Sequence, residues 1–322
     1  MLDELDRQIV SALQVDGRAA FSQVAEVLGS SDQTVARRYR RLRNEEAVQV
    51  VGSVDRWRAG VTSWYLRIQC VPDAALPIAE ALARRPDTAW VRLGSGGTEI
   101  SCATRSETKA EADALLLHKL HRTPRIVGIS AHYLIHMYYG GRGQSLLAKS
   151  GVLRPDQVQA MTPTWTTTEP SGEPLPTMDG GDRAMLAVLS RDGRAGYPEL
   201  ASATGWSETT VRRRLTELRR SGVVYFDVDV PAPALGLAVE ALLWLSVAPQ
   251  GMVEAAETLA SHPEVPFVAA TTGSSNLVAS LVCKDVGALY EYLTTKVAAI
   301  PAIQHIETNP IVRTLKREGS LL

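Results

Sequence analysis

Cysteine is scarce: the 322 residues hold three, Cys70, Cys102 and Cys283, and no two form a CxxC pair. A disulfide framework and a zinc knuckle both need closely spaced thiols, so neither is expected, and a reducing compartment fits. An excess of one charge is also lacking. Lys and Arg total 34 against 35 Asp and Glu, a formal net charge of −1. That excludes a basic coat spread along nucleic acid; any positive site must be local. No apolar run reaches the roughly 20 residues of a membrane span. The N-terminal MLDELDRQIV is acidic and lacks the basic-then-apolar layout of a signal peptide. A cytoplasmic protein is expected. Phosphate-loop, dinucleotide-fold and catalytic-triad signatures are missing too.

What is present is arginine, in two places. Ser31 to Ala47 reads as one helix: Ser31 suits an N-cap, and Val35, Tyr39 and Leu42 form one apolar stripe at i, i+4 and i+7. Arg37, Arg38, Arg40, Arg41 and Arg43 crowd its other faces. Ser207 to Val223 repeats the design, with cap Ser207, stripe Val211, Leu215 and Leu218, and Arg212, Arg213, Arg214, Arg219 and Arg220. A short helix docked by a narrow stripe can turn arginines toward phosphate.

In order, Leu2, Leu5, Ile9 and Leu13 predict a first helix, with Gly17 placed for a left-handed C-terminal residue. Phe21, Val24, Ala25 and Leu28 predict a second, ending at Gly29, and the arginine helix follows: the layout of a helix-turn-helix. Val48 to Val54 reads as a strand, a wing. Then come a strand at Ser63–Val71, a helix at Leu76–Arg84, strands at Thr88–Leu93 and Glu99–Thr104, a helix at Lys109–Leu120 and a long strand at Ile126–His136. That order, βαββαβ, is the ferredoxin-like split arrangement. From Gly140 to Gly181 the chain turns rich in Thr, Pro, Gly and Ser, an interdomain linker in which Leu146 to Met161 could hold a short helix.

The chain then repeats. Asp6-Arg7 matches Asp182-Arg183, Asp16-Gly17-Arg18-Ala19 matches Asp192-Gly193-Arg194-Ala195, and Arg37-Arg38 matches Arg213-Arg214, all at one offset. Shifted by one more residue, Pro86 matches Pro263, Gly96 matches Gly273 and Pro124 matches Pro301. The whole two-part unit is duplicated. Expected domains are a helix-turn-helix over 1–56, an αβ domain over 57–140, a linker over 141–180, a second helix-turn-helix over 181–232 and a second αβ domain over 233–318.

The pattern DxxDRQIVxALQxDGRA, the arginine helix and the βαββαβ order resemble the Lrp/AsnC (feast/famine) family of transcription regulators, in two tandem copies. The resemblance implies an α+β fold: twice a winged helix-turn-helix followed by a ferredoxin-like (RAM-type) domain. It implies double-stranded DNA as partner, a small effector such as an amino acid, and association of the αβ domains into a dimer of the fused chain or a larger homo-oligomer. It implies no enzyme activity, no membrane and no cofactor. By this resemblance the first turns, Ser31, Asp32, Gln33 and Thr34 in one copy and Ser207, Glu208, Thr209 and Thr210 in the other, face base edges, with Gln33 suited to adenine and Thr34 or Thr209 to a thymine methyl. Arg37, Arg38, Arg41, Arg212, Arg213 and Arg214 would then bind phosphate. The effector loop of the family maps to Ser95, Gly96, Gly97, Thr98 and Glu99 and to Thr272, Gly273, Ser274, Ser275 and Asn276. Its usual Asp is Glu99 in one copy and Asn276 in the other, so the ligand is expected to be altered, or absent from one copy; a turn whose glycines only permit positive φ is the alternative. His118 and His121 share a helix face at i and i+3, but no third ligand accompanies them, so no metal is expected. The alternative function is that of the sirohaem decarboxylases, which resemble paired Lrp-type units and act on a tetrapyrrole; the first-strand regions, Trp64–Cys70 and Ala241–Val247, hold no histidine for such chemistry.

Overall fold

A computed structural model describes residues 2–55, 62–106, 123–141, 144–163 and 176–318. The expected helix Lys109–Leu120, with His118 and His121, lies outside them. Two compact units emerge, each assembled from both copies.

The first unit begins with α1 (Glu4–Val15), α2 (Phe21–Leu28), α3 (Asp32–Asn44) and β1 (Gln49–Val54). Asp3 caps α1, accepting from the Asp6 backbone N–H at 2.9 Å. Gly29 ends α2 in the left-handed region at φ 63°, which an L-residue visits only at a cost. Ser31 caps α3 through the Thr34 N–H at 3.2 Å. The second copy supplies α7 (Gly180–Leu189), α8 (Tyr197–Thr204), α9 (Glu208–Arg220) and β6 (Val224–Asp229). Its caps are equivalent: Asp179 on α7, Gly205 after α8 and Ser207 on α9. The predicted stripes Val35, Tyr39, Leu42 and Val211, Leu215, Leu218 are buried in one shared core with Ile9, Leu13, Met185 and Leu189. Each fully buried aliphatic side chain contributes about 1.5–3 kcal/mol, enough to hold a short, highly charged helix.

Three findings refine the expectations. First, the strand read as a wing pairs not within its own copy but antiparallel with its counterpart, Gly52 opposite Phe226 and Gln49 opposite Asp229. Second, Gly17 is not left-handed: α1 ends at an extended Asp16. A Cβ on Gly17 would lie 2.7 Å from Phe226 Cβ and 2.9 Å from Val50 Cγ1, and one on Gly193 would lie 2.9 Å from Val50 Cγ1. These glycines permit close approach between the copies. Third, part of the expected linker is folded. α5 (Leu146–Lys149) and α6 (Pro155–Met161) bury Leu147, Leu153 and Met161 in the same core, and Gln157 Nε2 donates to the Val27 carbonyl at 3.0 Å. Its apolar residues, not its Thr-rich end, decide that outcome.

The two copies meet reciprocally. Arg18 donates to the Gly193 and Ala195 carbonyls at 2.7 and 3.0 Å, and Arg194 donates to Gly17 and Ala19 at 2.7 and 2.9 Å. Arg43 pairs with Asp192 and Arg219 with Asp16, each at 2.7 Å. This is an isologous interface, the same patch used twice, built inside one chain. The DGRA repeat exists for it.

The second unit holds β2 (Thr62–Cys70), α4 (Pro72–Ala83), β3 (Thr88–Gly94), β4 (Glu99–Ser106) and β5 (Ile126–Tyr139) from the first copy. The second copy adds β7 (Val239–Val247), α10 (Met252–Ser261), β8 (Phe267–Thr271), β9 (Leu277–Cys283), α11 (Val286–Glu291) and β10 (Ile303–Lys316). The strands close into a barrel in the order β10-β3-β4-β2-β5-β8-β9-β7. Closure comes from the two 14-residue strands. β5 pairs with β2 up to Tyr133, then with β8 from Leu134. β10 pairs with β7 up to Pro310, then with β3 from Ile311. Outside the barrel, Leu66, Ile68, Ile100 and Cys102 form one core with Ala75, Ala79 and Leu82 of α4. Leu243, Leu245, Leu277 and Leu281 form another with Ala255, Ala256 and Leu259 of α10. Alternate residues of the strands turn inward, where Tyr65, Ala103, Leu134, Leu242, Trp244, Ala269 and Val278 cluster.

Candidate nucleic-acid interface

The first turns of α3 and α9 are exposed and differ in what they offer. Ser31 Oγ and Ser207 Oγ each contact the hydroxyl of the threonine three residues on, Thr34 and Thr210, at 2.9 Å. Those four residues are thereby committed to capping. Asp32 accepts from the Gln33 N–H at 2.7 Å. The side chains of Gln33 and Thr209 stand in solvent with no hydrogen bond among the described residues, and Glu208 is exposed beside Thr209. A helix N-terminus adds partial positive charge from its own N–H groups.

The arginines, alike in sequence, divide sharply. Arg38 donates to Asp6 Oδ1 at 2.9 Å and also reaches Asp3, and Arg41 donates to Asp6 Oδ2 at 2.7 Å. Arg214 grips Asp182 through Nε and Nη2 at 2.9 and 2.7 Å. Asp6 and Asp182 are both buried. Burial alone would raise the Asp182 carboxyl, but the Arg214 guanidinium overcomes it and holds the group below the usual carboxylate range. These ion pairs clamp the arginine helix onto the first helix of its own copy. Of the six arginines expected on phosphate, Arg38, Arg41 and Arg214 are therefore spent largely on bracing. Arg37 and Arg213 are exposed at equivalent places; Arg213 is 73% exposed, with Glu217 no closer than 4.0 Å. Arg212 is exposed and lies with its guanidinium 4.0 Å from the Tyr197 ring centroid. The clamp had a sequence signal, an Asp and an Arg at the same separation in both copies, but composition hid it because every arginine looks alike there.

The two loops expected to hold an effector are bonded inward. In the first, Ser95–Gly97 forms a single 3-10 turn with Ser95, Gly96 and Gly97 all at positive φ. Thr98 Oγ1 donates to the Ser95 carbonyl at 2.9 Å, and the Ser95 N–H donates to Asn309 Oδ1 at 2.8 Å. Glu99 is buried: Arg67 donates to it at 2.9 and 2.8 Å and Asn309 Nδ2 at 2.7 Å. Arg67 also donates to Glu307 at 2.9 Å, which holds the Glu307 carboxyl below its ordinary range. In the second loop Thr272 takes up Tyr133 N–H and His132 Nδ1 at 2.9 and 2.7 Å. Gly273 has φ 112°, and a Cβ there would lie 2.8 Å from His132 Nδ1. Ser275 accepts from the Thr271 hydroxyl at 2.9 Å, and Ser274 is exposed. Asn276 bonds both polar atoms of the Val247 backbone, at 2.8 and 2.9 Å. The carboxylate position thus anchors a charged network in one copy and a strand end in the other. The three cysteines are buried and not activated: burial pushes Cys102 up to about 12 and Cys283 to about 11.

Residues 2–43 and 178–219 match the AsnC-type helix-turn-helix domain, and residues 240–321 match the Lrp/AsnC ligand binding domain. The HTH-type transcriptional regulator FL11 of Pyrococcus horikoshii is 30% identical over 145 residues, which is 45% of this chain and 95% of that protein. The chain belongs to the Lrp/AsnC family. The regulatory protein AsnC of Escherichia coli K12 is 30% identical over 146 residues, 43% of this chain and 96% of AsnC. Each such relative has the length of one Lrp/AsnC unit, and this chain carries two helix-turn-helix matches. Over its full length the fold resembles the siroheme decarboxylase NirDL, with a TM-score of 0.62 at 13% identity, covering 98% of this chain and 93% of that one. That likeness concerns the fold alone. Among the described residues no helix is long and apolar enough to cross a membrane, and no group of three His, Cys, Asp or Glu could hold a metal ion.

Proposed function

We propose that this protein is a cytoplasmic, sequence-specific DNA-binding transcription regulator, a ready-made pseudo-dimer that reads an asymmetric operator. One observation carries the reading. Two capped helices, held by equivalent clamps in one reciprocal unit, present unlike and unengaged groups, Gln33 against Thr209, beside equivalent exposed arginines, Arg37 and Arg213. Gln33 is suited to adenine and Thr209 to a thymine methyl. Arg37, Arg212 and Arg213 take phosphate, while Arg38, Arg41 and Arg214 set the angle of the helix. Two unlike readers related by an internal two-fold call for two unlike half-sites about one helical turn apart, or a multiple of it. The αβ barrel senses a small effector and carries association of the fused chain into dimers or larger particles. The effector loops, Ser95–Glu99 and Thr272–Asn276, serve this as rigid walls, since Glu99 and Asn276 are bonded inward.

Selection from a random oligonucleotide pool tests the proposal. It should enrich a non-palindromic site with two distinct half-sites. Enrichment of one short perfect palindrome, or of nothing, refutes it. The likeness to NirDL over nearly the whole chain favours a second reading, a tetrapyrrole enzyme on the same fold. A shifted Soret band on mixing the protein with iron uroporphyrin, together with no DNA selection, would establish that reading instead.

A further inference from the structure

The two arginine helices part company at residue 212. At the repeat offset Arg212 stands where the first copy has Ala36, although its neighbours Arg213 and Arg214 match Arg37 and Arg38. Arg212 is exposed. It lies three residues after Thr209 and next to Arg213, so these three share one face of α9, away from the buried stripe Val211, Leu215 and Leu218. Its guanidinium has no ion pair and no hydrogen bond among the described residues. What it touches is an aromatic ring: its carbon lies 4.0 Å from the ring centroid of Tyr197, the first residue of α8.

That ring is fixed in turn by the first copy. The Arg18 guanidinium carbon is 5.3 Å from the same centroid, and Arg18 is held by the Gly193 and Ala195 carbonyls. The first copy carries the matching series up to its last member. Arg194 lies 4.3 Å from the Phe21 centroid, and Phe21 meets the Tyr39 ring at 5.3 Å. The place of Arg212 is then taken by Ala36. The relay from one copy to the other therefore ends in an exposed arginine on one side and in a methyl group on the other.

Stacking uses the face of a guanidinium and leaves its edge free. The five N–H donors lie in the plane and still point outward. Phosphate takes such donors edge-on, two at a time. An untethered arginine samples many rotamers, and ordering it on binding costs about two- to tenfold in affinity. An arginine resting on a ring has lost that freedom before DNA arrives. Arg213 has no ring contact among the described residues, and Glu217 lies 4.0 Å from it.

We infer that Tyr197 is a positioning residue that holds Arg212 as a preformed contact for a DNA phosphate, in the second copy alone, so that the pseudo-dimer grips the backbone unequally at its two ends. The inference rests on the DNA-binding reading and deepens it: charge alone does not separate Arg212 from Arg37 or Arg213, whereas the ring does.

Fluorescence anisotropy of the intact chain on a mixed-sequence duplex, across salt, tests it. Arg212→Ala removes the contact, so affinity should fall about tenfold and the log–log salt slope by about 0.9. Tyr197→Leu leaves the charge but frees the side chain. Affinity should fall about two- to tenfold at an unchanged slope. Arg212→Lys keeps the charge without the planar face and should do the same; as a surface change it carries the test should Tyr197→Leu not fold. Tyr197→Phe keeps the ring and should restore wild-type binding. Phe21→Leu removes the matching ring where residue 36 is alanine, and should leave affinity at the wild-type value. A merely structural role for Tyr197 would make both leucine variants weaken binding alike. Adding Tyr197→Leu to Arg212→Ala should cost nothing further, since the ring acts only through the arginine. Wild-type affinity in Arg212→Lys overturns the inference. So does tighter binding by Tyr197→Leu, which would mean that the ring withholds the arginine from DNA. A wild-type chain that binds no duplex at all overturns the DNA-binding reading and this inference with it, whereas firm binding that none of these changes alters overturns this inference alone.

Discussion

Arg213 and Arg214 are neighbours on α9, and truncating each to alanine should change different properties. Arg214 has a side chain 16% exposed, clamped on a wholly buried Asp182. Removing it strands a buried carboxylate, a loss of about 3–5 kcal/mol for a fully buried pair. Asp182 keeps the Asp179 N–H at 2.9 Å, so the lower end, about 3 kcal/mol, is expected. At about 2–4 °C per kcal/mol for a unit of this size, the melting temperature should fall by about 6–12 °C. Arg213 is 73% exposed with a distant partner, so its loss should cost less than about 0.5 kcal/mol but lower the log–log salt slope of DNA binding by about 0.9. The pH dependence follows from Asp182. Its carboxyl is depressed in the folded state, so the stabilisation is fully present above the unfolded value of about 4 and is lost as pH falls through the lower folded value. The gap between wild type and Arg214→Ala should therefore close below about pH 4. Differential scanning fluorimetry across pH and fluorescence anisotropy across salt read both effects. An Arg214→Ala protein as stable as wild type at pH 7, or an Arg213→Ala protein with an unchanged salt slope, would refute the division of the arginines.

Gly17→Ala should destabilise the first unit by about 1–3 kcal/mol through overpacking against Phe226 and Val50, seen as a lower urea midpoint at unchanged slope. Gln33→Ala and Thr209→Ala should each relax selection at a different half-site by about 1–3 kcal/mol; the same change at both half-sites would show that the copies do not read separately. Glu99→Gln should cost about 1.5–3 kcal/mol by weakening the Arg67 and Asn309 bonds, and it should alter the near-UV circular dichroism of Trp244, whose ring centroid lies 4.9 Å from the Arg67 guanidinium carbon.

Local rules carried far in this chain. Ser31, Ser207, Asp3 and Asp179 are caps because their oxygens meet N–H groups a few residues on, and a capping pattern is visible in any window of that size. The stripes Val35-Tyr39-Leu42 and Val211-Leu215-Leu218 are buried as their spacing predicts, because a 3.6-residue period defines a face whatever covers it. The duplication is likewise a property of the string, and with it came the family and the order of elements. Which partner meets each face is a long-range matter, and there the string was silent. Arg38 and Arg214 reach carboxylates 32 residues away, and nothing in an arginine's neighbourhood tells a clamp from a phosphate contact. Gly17 looks like any helix terminator until Phe226 stands 2.7 Å from where its Cβ would be. β1 shows the pattern of a wing, but its ladder partner lies in the other copy. Tyr65, Arg92 and Ser101 are buried only because closure of the barrel takes them out of water; composition, period and caps describe each strand alone, whereas burial belongs to all eight together.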